Sequence, residues 1–232
     1  MGRSGTTIGG IIGGTTKNIP KKILGFILEF SAGLMTSIVC FDLIPKAFRI
    51  TDTANNFIGL FMGVCTMIIC DILITKKCKR KTELKTNSLL KTGAIIGIGL
   101  GLHNFPEGLA IGSGFESSYQ MGISLALAIA IHDIPEGMSM AVPMKSSGMK
   151  TKKVILYTFV SGLTTGLGAL FGALAGNINK ELIGLNLAFA AGAMLYIISG
   201  ELVPESNKIH DGKLTYIGNI LGFVAGIIAT KI

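Results

Sequence analysis

The stretch GFILEFSAGLMTSIVCFDLIP, residues 25–45, returns at residues 184–204 as GLNLAFAAGAMLYIISGELVP. Gly25, Leu28, Phe30, Ala32, Gly33, Met35, Ile38, Leu43 and Pro45 all recur 159 positions later, and Asp42 is matched by Glu201. The same offset carries Ile58, Gly59, Gly63, Ile68 and Ile69 onto Ile217, Gly218, Gly222, Ile227 and Ile228. Chance likeness between apolar runs does not explain Gly and Pro shared at one fixed spacing. The chain therefore contains two copies of one structural unit, separated by a middle segment.

Composition says where such units fold. Of 232 residues, 49% are hydrophobic and only 15% charged, with a mean hydropathy of +0.62. A soluble domain carries about 25% charged residues. Lipid accepts so apolar a chain, at about 20 residues per spanning helix. Seven segments are long enough: residues 23–45, 55–75, 92–115, 121–143, 154–178, 182–204 and 214–230. An eighth, residues 5–14, is too short to span unless the chain begins partway through a helix. The formal charge of +8 then reads as topology and not as nucleic-acid binding. With sides alternating, one side receives Lys17, Lys21, Lys22, Lys145, Lys150, Lys152, Lys153, Lys208, Lys213 and the basic loop 76–91. The other keeps Arg3, Lys46, Arg49, Lys180 and Lys231. The positive-inside rule makes the first side cytoplasmic and places both termini outside. Residues 1–232 form one transmembrane domain, in the cell membrane and in contact with its lipid. Met1 is followed by a Gly/Thr-rich stretch without a cleavable apolar core, so no signal peptide is expected.

With these sides, matched helices cross in opposite directions. Helices 1–3 and 6–8 are expected to form an inverted repeat, a device of transporters that alternate access around a midplane site. The offset sets Thr6, Gly9 and Gly13 opposite Thr165, Gly168 and Gly172. The helix of Thr165 begins about a dozen residues earlier, so its counterpart would begin before Met1. The first helix is expected to be truncated.

The middle segment carries the chemistry. His103-Asn104-Phe105-Pro106-Glu107-Gly108 recurs 29 positions later as His132-Asp133-Ile134-Pro135-Glu136-Gly137. In each, His and Glu stand one helical turn apart on one face. Proline removes the amide that would bond the carbonyl of Leu102 or Ile131, freeing a carbonyl beside the polar cluster. Irregular backbone at membrane depth is tolerated where it faces protein or a wet cavity. A lone intramembrane histidine could be a satisfied core residue. Two His, two Glu, one Asp and one Asn at mid-span on adjacent helices mark an ion path instead. Imidazole with carboxylate suits Zn²⁺, Fe²⁺ or Mn²⁺ better than the all-oxygen shells of Mg²⁺ and Ca²⁺. No thiolate enters the cluster, which keeps affinity moderate, as release requires.

At these residues the chain resembles the ZIP family of divalent-metal transporters, especially its bacterial and archaeal GufA-like branch. HNFPEGLAIG, HDIPEGMSMAVP, SGLTTGLGALFGA and FAAGAMLYIISGELVPES carry the likeness. The resemblance implies an all-α, eight-helix bundle with both termini outside and a homodimer. It implies a primary site from His103, Glu107, His132 and Glu136, with the Met35 thioether as a weaker ligand. It implies an adjacent site using Asn104 and Asp133, bridged by the same glutamates. Asp42 and Glu201 match polar positions that help metals enter or leave, a reading that stands beside that of helix-end charges near Pro45 and Pro204. Three features depart from the family. Thr165 and Gly166 replace the Glu and Pro of SGLxEP, which makes one transported ion the simpler expectation. Gly200 replaces an acidic residue. The cytoplasmic loop lacks a His-rich tract, and His210 is a lone loop histidine.

The expected function is transport of divalent transition-metal ions toward the cytoplasm by alternating access, zinc first and Fe, Mn or Cd next. The metal is the cargo, and no prosthetic group is expected. Two other readings compete. An intramembrane metal-dependent hydrolase would need an open coordination position and a base such as Glu136. No HExxH or three-histidine set is present, and an inverted repeat has no evident purpose there. A passive channel would conduct without saturating. Cys40, Cys65, Cys70 and Cys78 form no CxxC pair and are expected to be buried small side chains. The steps Gly59/Gly63, Gly168/Gly172 and Gly218/Gly222 permit close helix contact within one chain or between two.

Overall fold

The computed structural model describes the backbone of residues 2–16, 19–81, 88–146 and 148–229. Side chains at 2–4, 74–81, 88–100, 102, 103, 139, 143, 146 and 229 lie outside that description. The described residues are helical throughout, apart from short connections. The helices are α1 (Gly2–Thr15), α2 (Lys21–Ile50), α3 (Thr53–Lys81), α4 (Ser88–Ser117), α5 (Tyr119–Ser146), α6 (Thr151–Ile178), α7 (Lys180–Ile209) and α8 (Lys213–Ala229). Among the described residues, five stretches are long and apolar enough to cross a membrane: Lys21–Ile50, Thr53–Leu73, Tyr119–Val142, Thr151–Ile178 and Lys180–Ile209. α1 has 14 residues, half the 28 of its counterpart α6. The basic loop expected at 76–91 is shorter in the backbone, because the helix of α3 runs on to Lys81 and that of α4 starts at Ser88; residues 82–87 between them lie outside the described residues.

The repeat is visible in the backbone. α2 opens into a π-helical turn at Val39–Leu43, and α7 does the same at Ile198–Leu202, 159 positions on. In each a carboxylate, Asp42 or Glu201, lies in the turn, and a proline follows at the start of the next α-helical segment.

Helix pairing obeys the same symmetry. α2 packs on α8 and α3 on α7; α4 packs on α6 and α5 on α1. Glycine carries these contacts, because in lipid no hydrophobic drive separates helix from tail and association depends on close approach. Gly222 lies against the carbonyl of Phe30, and its partner Gly63 against that of Phe189. Gly168 lies against the carbonyl of Phe105, and Gly9 against that of Ile134, which is Phe105 shifted by 29. A Cβ at any of these would collide with a neighbouring backbone. All three glycine steps are thus used inside one chain. The two offsets, 159 and 29, describe one pseudo-twofold axis that exchanges α1–α3 with α6–α8 and α4 with α5.

Outward faces are apolar. Phe61 is 69% exposed and its mate Ile220 61%, as expected of surfaces bathed in lipid. The cysteines correct an expectation: they are free, but Cys40 and Cys65 are exposed and Cys70 half-buried. Their small apolar side chains sit on the outer faces, where lipid serves as well as a protein core. Cys78 lies outside the described residues.

Candidate metal centre

α4 and α5 meet on the pseudo-twofold axis, and each presents its motif to the other. Glu107, His132, Asp133 and Glu136 each offer an oxygen or nitrogen, and these four atoms lie within 4.8 Å of one another. All four residues are at most 1% exposed. His132 Nε2 is 2.9 Å from Glu107 Oε1 and 3.6 Å from Asp133 Oδ1. Neighbouring helices fix the frame. The Ser31 hydroxyl of α2 donates to the carbonyl of His132 at 3.3 Å. The Asn104 amide donates to the carbonyl of Ser161 on α6 at 3.1 Å, leaving Asn104 Oδ1 without a hydrogen-bond partner among the described residues.

The motif glycines explain how the carboxylates reach their depth. Gly108 follows Glu107 and lies against the carbonyl of Thr165. Gly137 follows Glu136 and lies against that of Thr6. Both helices run through their prolines, Pro106 and Pro135, without a break in helical assignment. The amides those prolines lack are among the features that make the local backbone adaptable.

Electrostatics point to a cation. Three carboxylates share a buried space with one imidazole, which lies 2.9 Å from Glu107 and 3.6 Å from Asp133. Like charges so close, away from water, are tolerated when a cation joins them. The donor set, imidazole nitrogen plus carboxylate and amide oxygens, is one that borderline transition metals accept.

The remaining residues expected at the site distribute as follows. His103 lies on α4 one turn before Glu107, and its side chain is outside the described residues. Met35 is fully buried on α2, one turn beyond Ser31. Asp42 and Glu201 do not join the cluster of four. Asp42 is paired with Lys46 on its own helix. Glu201 lies within electrostatic reach of both Glu136 and Asp71 of α3, and the Tyr196 hydroxyl donates to Asp71 Oδ2 at 3.0 Å.

Sequence reasoning passed over three polar residues. Asp71 stands alone in the apolar run at 68–74, and that carboxylate was the available signal. Glu29 was visible in the same way inside the span at 23–45; it is 3% exposed and accepts from the Asn219 amide at 2.7 Å. Thr6 was legible only through its match to Thr165.

Comparison with known proteins agrees with this geometry. A family model described as ZIP zinc transporter matches residues 75–230. The zinc transporter ZupT of Streptococcus mutans serotype c is 34% identical over 236 residues, covering 94% of this chain and 89% of that protein. ZupT of Chlorobaculum parvum is 35% identical over 238 residues, covering 94% and 88%. The zinc transporter GufA of Myxococcus xanthus is 40% identical over 128 residues, covering 55% and 50%. With its matched helices, its buried carboxylate–imidazole centre and relatives that align along nearly all its length, the chain belongs to the ZIP family of zinc transporters.

Proposed function

We propose that this chain carries Zn²⁺ across the cell membrane toward the cytoplasm, by alternating access, with Fe²⁺, Mn²⁺ and Cd²⁺ as secondary cargo. The observation that carries the reading is the buried quartet of Glu107, His132, Asp133 and Glu136, three carboxylates and an imidazole on the axis relating the two repeats. His103 and Asn104 complete the ligand set from α4, and the Met35 thioether approaches from α2. Membership of a transporter family removes the hydrolase alternative.

Alternating access is supported by how the helices divide. α1, α4, α5 and α6 form one block through glycine contacts, and α2, α3, α7 and α8 form a second. The cargo ligands belong to the first block except Met35. Shifting one block against the other exposes the same ligands to either side in turn. Asp42 and Glu201, in the π-helical turns, receive and release the ion on the two sides. The lysine distribution supports a cytoplasmic segment 76–91 and termini on the outside. The chain forms one transmembrane domain that works as a homodimer in lipid.

The test is Zn²⁺ uptake into proteoliposomes. Saturable uptake, lost in His103→Ala and Glu136→Ala at matched reconstitution, is expected. Uptake that rises linearly with concentration would indicate a channel, and uptake no greater than in empty liposomes would end the proposal.

A further inference from the structure

Helical threonines in this protein generally satisfy their hydroxyls on their own helix. Thr36 donates to the carbonyl of Ala32 at 2.8 Å, Thr158 to Ile155 at 2.9 Å and Thr164 to Ser161 at 2.7 Å. Such back-bonding is the ordinary fate of a threonine inside a helix. Thr6 and Thr165 do otherwise. They are 0% and 2% exposed, and neither Oγ1 bonds back to its own helix: Thr6 Oγ1 is turned across to the Asp133 carboxylate, and Thr165 Oγ1 has no hydrogen-bond partner among the described residues. A buried hydroxyl left without a partner, as at Thr165, costs stability.

The two are the same position in the two repeats, 159 apart. Each stands where the backbone of α1 or α6 touches the motif helix: the Thr6 carbonyl against Gly137 and the Thr165 carbonyl against Gly108. The Thr6 hydroxyl lies close to the Asp133 carboxylate, and Gly5 packs directly on Asp133. On the other side of the axis, Thr165 stands one turn after Ser161, whose carbonyl holds the amide of Asn104. Asn104 is the mate of Asp133, and its Oδ1 is also without a partner among the described residues. Two mirror-related threonines therefore stand beside the turns of the motif helices that carry two mirror-related oxygen donors.

We propose that Thr6 and Thr165 belong to the cation site, each placing a neutral hydroxyl oxygen in the coordination shell of the divalent ion. This deepens the metal-carrier reading and rests on it. It gives α1, the short first helix, a direct part in holding the cargo. It also explains why the hydroxyls forgo bonds on their own helices: the ion is their partner. Neutral oxygens add donors without adding a fourth and fifth negative charge, which helps the ion leave again.

The experiment measures Zn²⁺ binding to the purified full-length chain by titration calorimetry, for wild type, Thr6→Val, Thr165→Val and the two serine variants. Thermal melting of each is followed with and without metal. Valine keeps the shape and removes the hydroxyl; serine keeps the hydroxyl. Each valine variant is expected to weaken binding by about three- to tenfold. Its metal-free melting temperature should be unchanged or higher, and the serine variants should bind as wild type does. Unchanged affinity in both valine variants overturns the proposal. So does weaker binding that comes with a lower metal-free melting temperature and is not restored by serine, since that is the signature of a packing role. Failure of the wild type to bind Zn²⁺ at all, or wild-type binding that persists in Glu136→Ala, overturns the metal-centre reading itself.

Discussion

At Val39–Leu43 and at Ile198–Leu202 the chain makes the same backbone feature twice, a π-helical turn holding a carboxylate with a proline close behind. The surroundings differ. Asp42 is closed by an ion pair to Lys46, four residues on. The position that matches Lys46 in the second repeat is Glu205, and Glu201 keeps company with Asp71 and Glu136 instead. α2 and α7 are five helices apart in an alternating chain, so the two turns lie toward opposite faces of the membrane. The lesson is that backbone symmetry and charge asymmetry serve different ends. The first lets one set of ligands face either side. The second makes the two turns unequal, one closed by a lysine and the other facing two further carboxylates, which is the difference expected of an entry and an exit under the carrier function proposed above.

The largest effect is expected from breaking what the two halves share. Leucine at Gly63 or at Gly222 drives a side chain into the backbone of Phe189 or Phe30. Overpacking against backbone costs about 3 kcal/mol or more. Both variants should lose folded yield to a similar degree, read by size-exclusion chromatography in detergent. A loss confined to one of them would show that the symmetry is not energetic.

Next come the carboxylates that differ. Glu201→Gln should lower the maximal rate of Zn²⁺ uptake by about tenfold, equivalent to about 1.4 kcal/mol in the barrier. Asp42→Asn should act chiefly on the half-saturating concentration, because Asp42 meets the ion first. Equal effects on the same parameter would erase the proposed difference between the two mouths. A smaller effect is expected from Lys46→Gln. Removing the tethered cation should lower the half-saturating concentration by about two- to threefold, in keeping with the modest worth of partly exposed ion pairs. A rise would mean that Lys46 orders Asp42 for binding instead of competing there. Acidification should act on the shared centre: protons compete for imidazole and carboxylate ligands, so uptake should fall as external pH drops from neutral to about 5. Uptake that held steady over that range would separate the rate from ligand protonation.

Much of this was readable in the chain. The offset of 159 matched the helices of the two repeats in opposite sense, because Gly and Pro are placed by backbone need and keep their register; the π-helical turns at Asp42 and Glu201 appear only in the structure. Four of the twin-motif residues, Glu107, His132, Asp133 and Glu136, converge, and they were legible because ionisable groups at membrane depth have few other reasons to exist. Other features were not legible. The glycine steps could have served one chain or two, and only the fold shows each of them packed on another helix of the same chain, at symmetry-equivalent places. Cys40 and Cys65 were expected inside, but an apolar run in a membrane helix does not say which of its faces meets lipid. Thr6 carried no chemical signal of its own; its burial beside Asp133 appears only once α1 is laid on α5.

The central claim is that cargo binds on the pseudo-twofold axis between the two motifs. Zn²⁺ uptake by wild type and Glu136→Ala, reconstituted side by side, tests it most directly, with bound metal counted in the same preparations. Saturable wild-type uptake, and loss of both uptake and bound metal in the variant, is the expected result. A variant that still binds and carries Zn²⁺ as the wild type does would contradict it.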